Sequence, residues 1–123
     1  MLLIKFSYFY NANLENANFQ NAGLWHVGFA SANLTNADLS GADLNKALLN
    51  NANLSNANLQ GADLSGADLY GANLEDANFV GADLEAANLS RVKAKGANFK
   101  GANLKFATLH TPDFTGANFE EAD

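Results

Sequence analysis

The five-residue period of this chain is the feature that most constrains its fold. From Asn11 the sequence divides into blocks reading NANLE, NANFQ, NAGLW and so on, with no insertion or deletion before Asp123. A large apolar residue recurs at every fifth position from Ile4 to Phe119 with one exception, Ala94, and 15 of these 24 positions hold Leu and 7 hold Phe. Ala stands two positions earlier in 20 of 25 blocks, and Asp or Asn lies between the two in 18 of 25. A pattern this regular indicates one repeating architecture.

A period of five matches neither ordinary element, because a helix face repeats about every 3.6 residues and a strand face about every 2. Ala and Leu two positions apart point the same way on an extended segment, so the other three residues of a block must turn the chain. Asn, Asp, Gly and Ser suit that turn, because Asx side chains bond to nearby backbone groups and Gly accepts positive φ. The pattern predicts a very short strand and a corner in each block, wound into a coil around the Ala and Leu side chains.

Spacings of twenty residues indicate how many blocks make one coil. Three sets of identical residues repeat at this spacing: Gly41, Gly61, Gly81 and Gly101; Phe79, Phe99 and Phe119; and Asp43, Asp63 and Asp83. Four blocks per coil predict about six stacked coils, whose backbone groups pair at about 4.8 Å. The one core anomaly fits this arrangement. Ala94 replaces a large residue, and the bulkier Val92 and Phe114 are placed to fill the space left by the missing Leu.

Blocks of the form Ala-(Asp/Asn)-Leu-x-Gly resemble those of the pentapeptide-repeat family, and the resemblance covers essentially the whole chain. It implies an all-β fold, a right-handed quadrilateral β-helix. We therefore expect residues 1–123 to form a single domain, with residues 1–10 as an aromatic-rich first coil and candidate cap. The resemblance leaves function open. Some members of the family resemble double-stranded DNA, bind DNA gyrase or related topoisomerases and protect cells from quinolones or peptide toxins; many others, abundant in cyanobacteria, have no known role.

Composition narrows the function classes. The net charge of −6 argues against direct binding to nucleic acid or to an anionic membrane. Without Cys the chain has no disulfide, Cys-based metal site or catalytic thiol. No apolar run reaches transmembrane length, and residues 1–10 lack the cleavage site of a signal peptide, which predicts a cytoplasmic protein. His26 and His110 stand far apart in the frame, so we expect neither a metal site nor a cofactor.

Acidic residues form one candidate surface. Asp43, Asp63 and Asp83 fall in one column of the predicted coil, and Glu85 follows two residues later. The carboxylates could share a proton, hold a cation or meet a partner; alternatively, they are turn residues on a solvated face, interchangeable with Asn. Residues 31–90 hold eight acidic residues and one basic residue, whereas residues 91–105 hold five basic residues and no acid. A DNA duplex of the expected length, about 29 Å, carries roughly 17 negative charges, so this interrupted charge is a diluted imitation of DNA.

Large apolar side chains at outward positions form the other candidate surface. They are densest near the N-terminus and recur along the chain: Leu3, Phe6, Tyr8, Tyr10, Trp25, Leu48, Tyr70, Val80 and Phe106. The N-terminal group either covers the open edge of the first coil or contacts another chain, as a surface for self-association or for a protein partner. The C-terminal end has no evident cap in the sequence, which allows an end-to-end homodimer. Trp25 beside His26 is either a tolerated corner or a small binding spot.

Two hypotheses for function follow. The first is a non-enzymatic structural or protein-interaction module, because no catalytic constellation interrupts the frame and a core of Leu, Phe and Ala leaves no substrate cavity. The second is a DNA-mimicking binder of DNA gyrase or a related topoisomerase, based on the resemblance and the acidic middle. Under either hypothesis we expect a protein partner or self-association, through the candidate contact residues Asp43, Asp63, Asp83, Glu85, Trp25, Tyr8, Tyr10 and Phe106.

Overall fold

The computed structural model describes residues 7–123, and over this range it contains neither helices nor strands longer than one bridge residue. The middle residue of each block forms an isolated parallel β-bridge with the residue twenty positions later, from Tyr8↔Gly28 to Asn98↔Asn118. One coil is therefore twenty residues, or four blocks, which confirms the period that the sequence predicts. Leu3 and Phe6 lie outside the described residues.

Backbone hydrogen bonds between coils hold the blocks in place. The Leu34 N–H donates to the Asn53 carbonyl of the next coil at 2.7 Å, and the Asn53 N–H donates back to the Ala32 carbonyl at 2.9 Å. Within the first of these coils, the Ala37 N–H donates to the Leu34 carbonyl at 3.0 Å and closes the corner. The same bonds recur coil after coil, so backbone groups are satisfied without long strands.

The middle Asp or Asn of a block accepts a hydrogen bond from the one N–H of that block that has no backbone acceptor. In one block the Thr35 N–H donates to Asn33 Oδ1 at 3.2 Å, and the Asn36 N–H reaches the Ser55 carbonyl of the next coil at 3.0 Å. All five N–H groups of such a block then have acceptors. This is the physical reason for the repeated Asp or Asn, because a side-chain acceptor is needed two residues before the unpaired N–H.

The corners share one backbone conformation. Positive φ recurs every fifth residue from Asn11 to Glu121, two positions after each large apolar residue, as the third position of a type II turn requires. Gly occupies eight of these positions and Asn six, the residues that tolerate this conformation best. Phe106 at φ 60 and Thr111 at φ 51 are costly exceptions, because bulky and β-branched residues rarely take positive φ.

The interior is a continuous stack of small and large apolar side chains. Every inward-facing residue from Ala22 to Ala102 is at most 2% exposed. The Phe79 and Phe99 rings stack 4.8 Å apart at an angle of 7°, and the Phe99 and Phe119 rings stack 5.0 Å apart at 3°. The spacing of twenty therefore does bring the predicted phenylalanine column together.

The substitution at Ala94 is accompanied by aromatic packing one coil later. Val92 and Ala94 are both fully buried. Phe114, one coil beyond Ala94, meets Phe99 edge-on at 5.7 Å and Phe119 edge-on at 5.0 Å. The phenyl ring of Phe114 is thus part of a cluster with the phenylalanine column of the neighbouring side.

We number the four sides in chain order by their middle residues. Side 1 begins at Tyr8, side 2 at Asn13, side 3 at Asn18 and side 4 at Gly23, and each continues in steps of twenty residues. A corner is named by the two sides that it joins, so that Trp25 lies on corner 4–1. These columns decide which candidate residues can act together.

Candidate functional site

The acidic column lies on side 4. Asp43, Asp63 and Asp83 are joined by consecutive bridges. Each carboxylate uses its Oδ1 atom to accept a hydrogen bond from the backbone N–H two residues later, at 3.2, 2.9 and 3.0 Å respectively. These three residues therefore form Asx turns, as Asn does elsewhere in the repeat. Their stacking brings acidic groups together at the coil spacing of about 4.8 Å.

Glu85, on corner 4–1, lies beside neutral and basic neighbours. Asn103 Nδ2 donates to Asp83 Oδ1 at 3.0 Å and to Glu85 Oε2 at 3.4 Å. Lys105 forms an ion pair with Asp123. The pKa of Lys105 is raised, first by its hydrogen bond to Asp123 and then by the charge of that carboxylate, with a smaller contribution from Glu85. The C-terminal end of the acidic column therefore lies beside the Asn103 amide and the Lys105 ammonium group.

The basic band of the sequence becomes a ring in the structure. Residues 91–105 span most of one coil, which places Arg91 on corner 1–2, Lys93 on side 2, Lys95 on corner 2–3, Lys100 on corner 3–4 and Lys105 on corner 4–1. The positive charge therefore faces every direction around the axis. It separates the acidic coil before it from the acidic residues that follow.

Acidic residues of the last described coil pair with this ring. Lys100 Nζ lies 3.0 Å from Glu120 Oε2. The pKa of Asp113 is lowered, first by the Thr115 hydroxyl that donates to it and in smaller part by the charge of Lys95. Charge therefore alternates along the axis, and a continuous negative surface is interrupted at this coil.

Side 1 departs from the Asp/Asn rule more than any other side. Only Asp68 and Asn88 keep it there, whereas the other three sides together break it only at Gly23 and Lys93 over the described residues. Five of the seven exposed large hydrophobic residues within residues 7–123 lie at outward positions of side 1 or of its two corners; they are Tyr8, Tyr10, Leu48, Tyr70 and Phe106. The other two, Leu109 and Phe119, occupy inward positions in the last coil of sides 1 and 3.

Two tyrosines cover a glycine at the N-terminal end of side 1. Tyr8 and Tyr10 have ring centroids 5.2 Å apart, and both rings lie against Gly28, one coil further along. A Cβ atom at Gly28 would stand 2.6 Å from Tyr8 Cδ1 and 2.7 Å from Tyr10 Cε1. Tyr8 is nevertheless 65% exposed and Tyr10 47% exposed. The pair therefore presents aromatic surface on the lateral face of the coil.

The other predicted aromatic residues lie on corner 4–1. The Trp25 ring meets the His26 ring edge-on at 4.4 Å, and Trp25 Nε1 donates to Asn45 Oδ1 at 3.0 Å. Phe106 occupies the same corner four coils later and is 83% exposed. The aromatic candidates thus border side 1, while the three aspartates of the acidic column lie on side 4.

A row of free backbone donors on side 1 escaped the sequence analysis. Where the middle residue is neither Asp nor Asn, the N–H two residues later loses its usual side-chain acceptor. Within residues 7–123, the N–H groups without an acceptor on three consecutive coils are those of Tyr10, Ala30 and Asn50. The sequence signal for these donors is the absence of Asp or Asn at three middle positions that are twenty residues apart. This signal can be interpreted only when the coil length is known.

The remaining surface offers little shelter for a small molecule. A hollow of about 470 Å³ on corner 3–4 and another of about 310 Å³ on corner 2–3 are open to solvent; Ser40 lines the first and Asp76 the second. No three His, Asp or Glu side chains within residues 7–123 are grouped so as to hold a metal ion. The same residues include no helix with the length and apolar character to span a membrane.

A family model described as pentapeptide repeats matches residues 7–123 in overlapping segments, with eight copies. The chain belongs to the pentapeptide-repeat family. This confirms the resemblance seen in the blocks of five. It also confirms the all-β class and the right-handed quadrilateral β-helix, the fold of its solved pentapeptide-repeat relatives. A comparison with functionally curated proteins gave no significant match.

Among solved structures, this pentapeptide-repeat chain is similar to Rfr23 from the cyanobacterium Cyanothece 51142, with 37% identity over 73% of this chain and 62% of that one, and a TM-score of 0.72. HetL from the cyanobacterium Nostoc sp. strain PCC 7120, a protein involved in heterocyst differentiation regulation, is 34% identical over 93% of this chain and 62% of its own, with a TM-score of 0.37. The chain therefore spans 62% of the length of these two relatives.

A third solved structure shares the fold at low identity. A trypsin-treated variant of QnrB1, a plasmid-mediated fluoroquinolone resistance protein, has 17% identity to this chain and a TM-score of 0.62, over 98% of this chain and 71% of its own. At this level of identity the likeness concerns the β-helix alone.

Proposed function

We propose that this pentapeptide-repeat chain is a non-enzymatic protein-binding module, a β-helical rod that meets its partner through side 1. The observation that carries this proposal is the collection of five exposed large hydrophobic residues at outward positions of that side and its corners. Exposed apolar surface bordered by polar residues is typical of protein-binding sites. The core beneath it follows the repeat without interruption, so the specific features of the molecule lie on its exterior.

The candidate catalytic groups support a binding role over catalysis. Ser90 Oγ lies 3.4 Å from His110 Nδ1 on corner 1–2, the spacing of a loose nucleophile–base pair. Ser90 is only 6% exposed, which keeps its hydroxyl away from a substrate. In hydrolases such a pair is completed by a third group that orients the base. The two surface hollows lie on corners 3–4 and 2–3, away from the Ser90–His110 pair.

The experiment that tests this proposal compares two variants as immobilised bait in extracts of cells that express the chain. Leu48→Asn with Tyr70→Asn removes apolar surface from side 1, and Val80→Asn makes the matched change on corner 3–4. We expect at least one protein to be retained by the wild type and by Val80→Asn and to be lost with the side 1 variant. Identical retention by all three chains would contradict a binding role for side 1.

A DNA-mimicking binder of DNA gyrase or a related topoisomerase is the second candidate, and the observation that favours it is the acidic column of Asp43, Asp63 and Asp83. QnrB1, a fluoroquinolone resistance protein, shares the fold. The basic ring weighs against this candidate, because DNA carries an uninterrupted negative charge. A gyrase supercoiling assay decides the matter. The mimic predicts inhibition or protection that is lost when the three aspartates become asparagines, whereas an inactive wild type rules it out.

We further propose that residues 1–123 act as one domain in the cytoplasm. The continuous ladder of bridges supports a single cooperative unit. Limited proteolysis is expected to leave residues 7–123 uncut until the whole ladder unfolds, and an early cleavage within this range would contradict a single domain. Fractionation of cells that express the chain tests the location.

A further inference from the structure

Side 1 divides into two halves with opposite hydrogen-bonding character. The N-terminal half has the middle residues Tyr8, Gly28 and Leu48, and its free backbone donors within the described residues are the N–H groups of Tyr10, Ala30 and Asn50. The C-terminal half has middle residues that carry side-chain oxygens: Asp68, Asn88 and Thr108. Within residues 7–123, three of the four unbonded donors of this side therefore lie in one half, and the acceptor side chains lie in the other half together with the fourth donor, the His110 N–H.

The free donors face outward from side 1. In the blocks whose middle residue is Asp or Asn, the equivalent N–H is bonded by the outward side chain of that residue, as the Tyr70 N–H is bonded by Asp68 Oδ1 at 3.1 Å. A partner that covers Leu48 and the tyrosines also covers these donors, and a covered N–H without an acceptor costs about 1–3 kcal/mol. Any partner on this surface must therefore supply acceptors at the coil spacing of about 4.8 Å. An extended strand has carbonyls on one edge only about every 6.8 Å, whereas a second β-helix matches coil by coil.

We propose that side 1 is the interface of a two-fold homodimer in which two copies of this chain lie side by side and antiparallel. The inference rests on the proposed function, a protein-binding surface on side 1, and names its partner as a second copy. In the antiparallel register of greatest overlap, the first described coil of side 1 in one copy faces the last coil in the other. The second coil then faces the second last, and the third faces the fourth. Three donor and acceptor pairs then face each other: Tyr10 with Thr108, Ala30 with Asn88, and Asn50 with Asp68. The Oδ1 atoms of Asn88 and Asp68 also accept turn N–H groups within their own chain.

The same register covers the exposed hydrophobic residues. Tyr8 and Tyr10 of one copy face the coil that carries Phe106 in the second copy, and Leu48 faces Tyr70. Each copy makes these contacts twice, because a two-fold interface uses the same surface on both subunits. The two N-terminal tyrosines and Phe106 at the other end of side 1 are thus explained by one arrangement.

Charge also favours a second copy on this side. Among the described residues of side 1 and its corners, the basic residues are Lys46, Arg91 and Lys105 and the acidic residues are Asp68 and Glu85. This surface is nearly neutral in a chain whose net charge is −6, so two copies meet here without the repulsion that side 4 would cause. A parallel two-fold pairing would place Asp68 opposite itself, which like charges disfavour.

The area of one side is sufficient for a stable dimer. The accessible surface of the chain is 5784 Å². One of the four sides with its corners is roughly a quarter of this surface, which exceeds the roughly 800 Å² per partner of a standard interface. The expected dimer therefore lies within the range of specific protein–protein complexes.

Sedimentation of the full chain over a range of concentrations tests the dimer. Leu48→Asn removes an apolar contact and supplies an acceptor to the Asn50 N–H of the same chain. We expect the wild type to dimerise, and Leu48→Asn to raise the dimer dissociation constant about tenfold or more without lowering the melting temperature of the monomer. Val80→Asn, on corner 3–4, is the matched control and should leave the dissociation constant unchanged. A lower melting temperature for Leu48→Asn would contradict the unpaired donor on which the inference depends.

Engineered cysteines test the antiparallel register without interference, because the chain has no native Cys. Tyr10→Cys with Thr108→Cys places the two thiols five coils apart within one copy, too far for an internal disulfide. We expect the double variant to form closed disulfide-linked dimers on mild oxidation, and neither single variant to do so. A ladder of larger oligomers would overturn the two-fold arrangement.

Failure of the dimer and failure of the proposed function give different results. A chain that is monomeric at all concentrations, yet captures a different protein through Leu48 and Tyr70, overturns the homodimer and leaves the binding role of side 1 intact. A monomeric chain whose captured proteins are unaffected by the side 1 variant overturns both.

Discussion

Gly28 has no room for a β-carbon beside Tyr8, since a Cβ atom at position 28 would stand 2.6 Å from Tyr8 Cδ1. The Tyr10 ring is almost as close. The absence of a side chain at Gly28 thus allows two aromatic rings to lie against side 1, and the aromatic surface depends on this one position.

Replacing Gly28 by Ala should displace the two tyrosines. We expect a loss of about 1–3 kcal/mol in the free energy of unfolding, the usual cost of overpacking, measured by urea denaturation, together with a change in the near-ultraviolet circular dichroism of the tyrosines. In a background that carries Tyr8→Ala and Tyr10→Ala the same substitution should cost less, because the clash is gone. Equal costs in the two backgrounds would contradict the contact.

Replacing Phe106 by Gly should stabilise the chain. Phe106 adopts φ 60, and an L-residue in this left-handed region costs about 1–2 kcal/mol. Within one copy the 83% exposed side chain returns little packing energy, so we expect a higher melting temperature for Phe106→Gly at concentrations at which the chain is monomeric. Gly101→Ala is the converse control, because Gly101 has φ 65 and open space around its Cα, and it should lower the melting temperature by a similar amount. A stability loss in Phe106→Gly would show that the phenyl ring makes a stabilising contact.

The contribution of the acidic column to the free energy of unfolding should depend on the hydrogen-bond acceptors of its aspartates more than on their charge. Asp63 Oδ1 accepts hydrogen bonds from the Ser65 N–H at 2.9 Å and from the Ser65 hydroxyl at 2.5 Å. Asp63→Asn keeps an acceptor and removes a like charge between Asp43 and Asp83, so we expect the free energy of unfolding to stay unchanged or to rise. Asp63→Ala should lose about 1–2 kcal/mol, because a turn N–H is left unpaired. The comparison uses chemical denaturation at neutral pH, and equal losses in the two variants would assign the role to the charge.

The packing around Ala94 should be coupled to Phe114. Ala94 is fully buried, and Phe114 packs edge-on against the phenylalanine column. Ala94→Leu in the wild-type background should cost about 1–3 kcal/mol, because it adds volume to a filled interior. In a Phe114→Leu background the cost should fall, since the aromatic bulk has been removed. A double-mutant cycle of unfolding free energies measures the coupling, and additive effects would separate the two positions.

Acid sensitivity should depend in part on Asp38. The Ser40 hydroxyl donates to Asp38 Oδ1 at 2.7 Å, and this bond is the first cause that lowers the pKa of Asp38 from its ordinary value of 3.8. A carboxyl with a lowered pKa in the folded state adds stability above its unfolded pKa, and this stability disappears as pH falls through the folded pKa. Asp38→Asn should therefore show a smaller drop in melting temperature between neutral pH and pH values below 3.8. Ser40→Ala should act in the same direction, and parallel melting curves for all three chains would contradict this origin.

The fold was predictable because this chain repeats its contacts at one fixed separation. Ala and Leu two residues apart define the inward face of each block, and the recurrence of Gly41 at Gly61 already indicates the coil length. In an ordinary globular domain the partners of a residue lie at many different separations, and no single period reveals them. Here every bridge joins residues twenty positions apart, so the local period and the long-range pairing carry the same information.

The individual residues of the candidate site were predictable from the sequence, but their position on one common side was not. Tyr8, Tyr10 and Phe106 stand out in the sequence because they break the polar rule at outward positions. That rule alone does not show that these residues share one side, because the chain turns to the next side of the coil after every five residues. The positive φ of Phe106 and the unpaired Tyr10 N–H are also invisible without the turn geometry and the full set of backbone hydrogen bonds.

By itself, the sequence determined the inward and outward position of nearly every residue, because a period of five with alternating small and large apolar residues has one way to bury its apolar side chains. Only the tertiary structure decided which outward residues are neighbours. Winding brings residues twenty apart to a spacing of about 4.8 Å, and it sends residues ten apart to opposite sides of the coil. For this reason the basic stretch from Arg91 to Lys105 became a ring around the axis, and scattered aromatic residues became a single face.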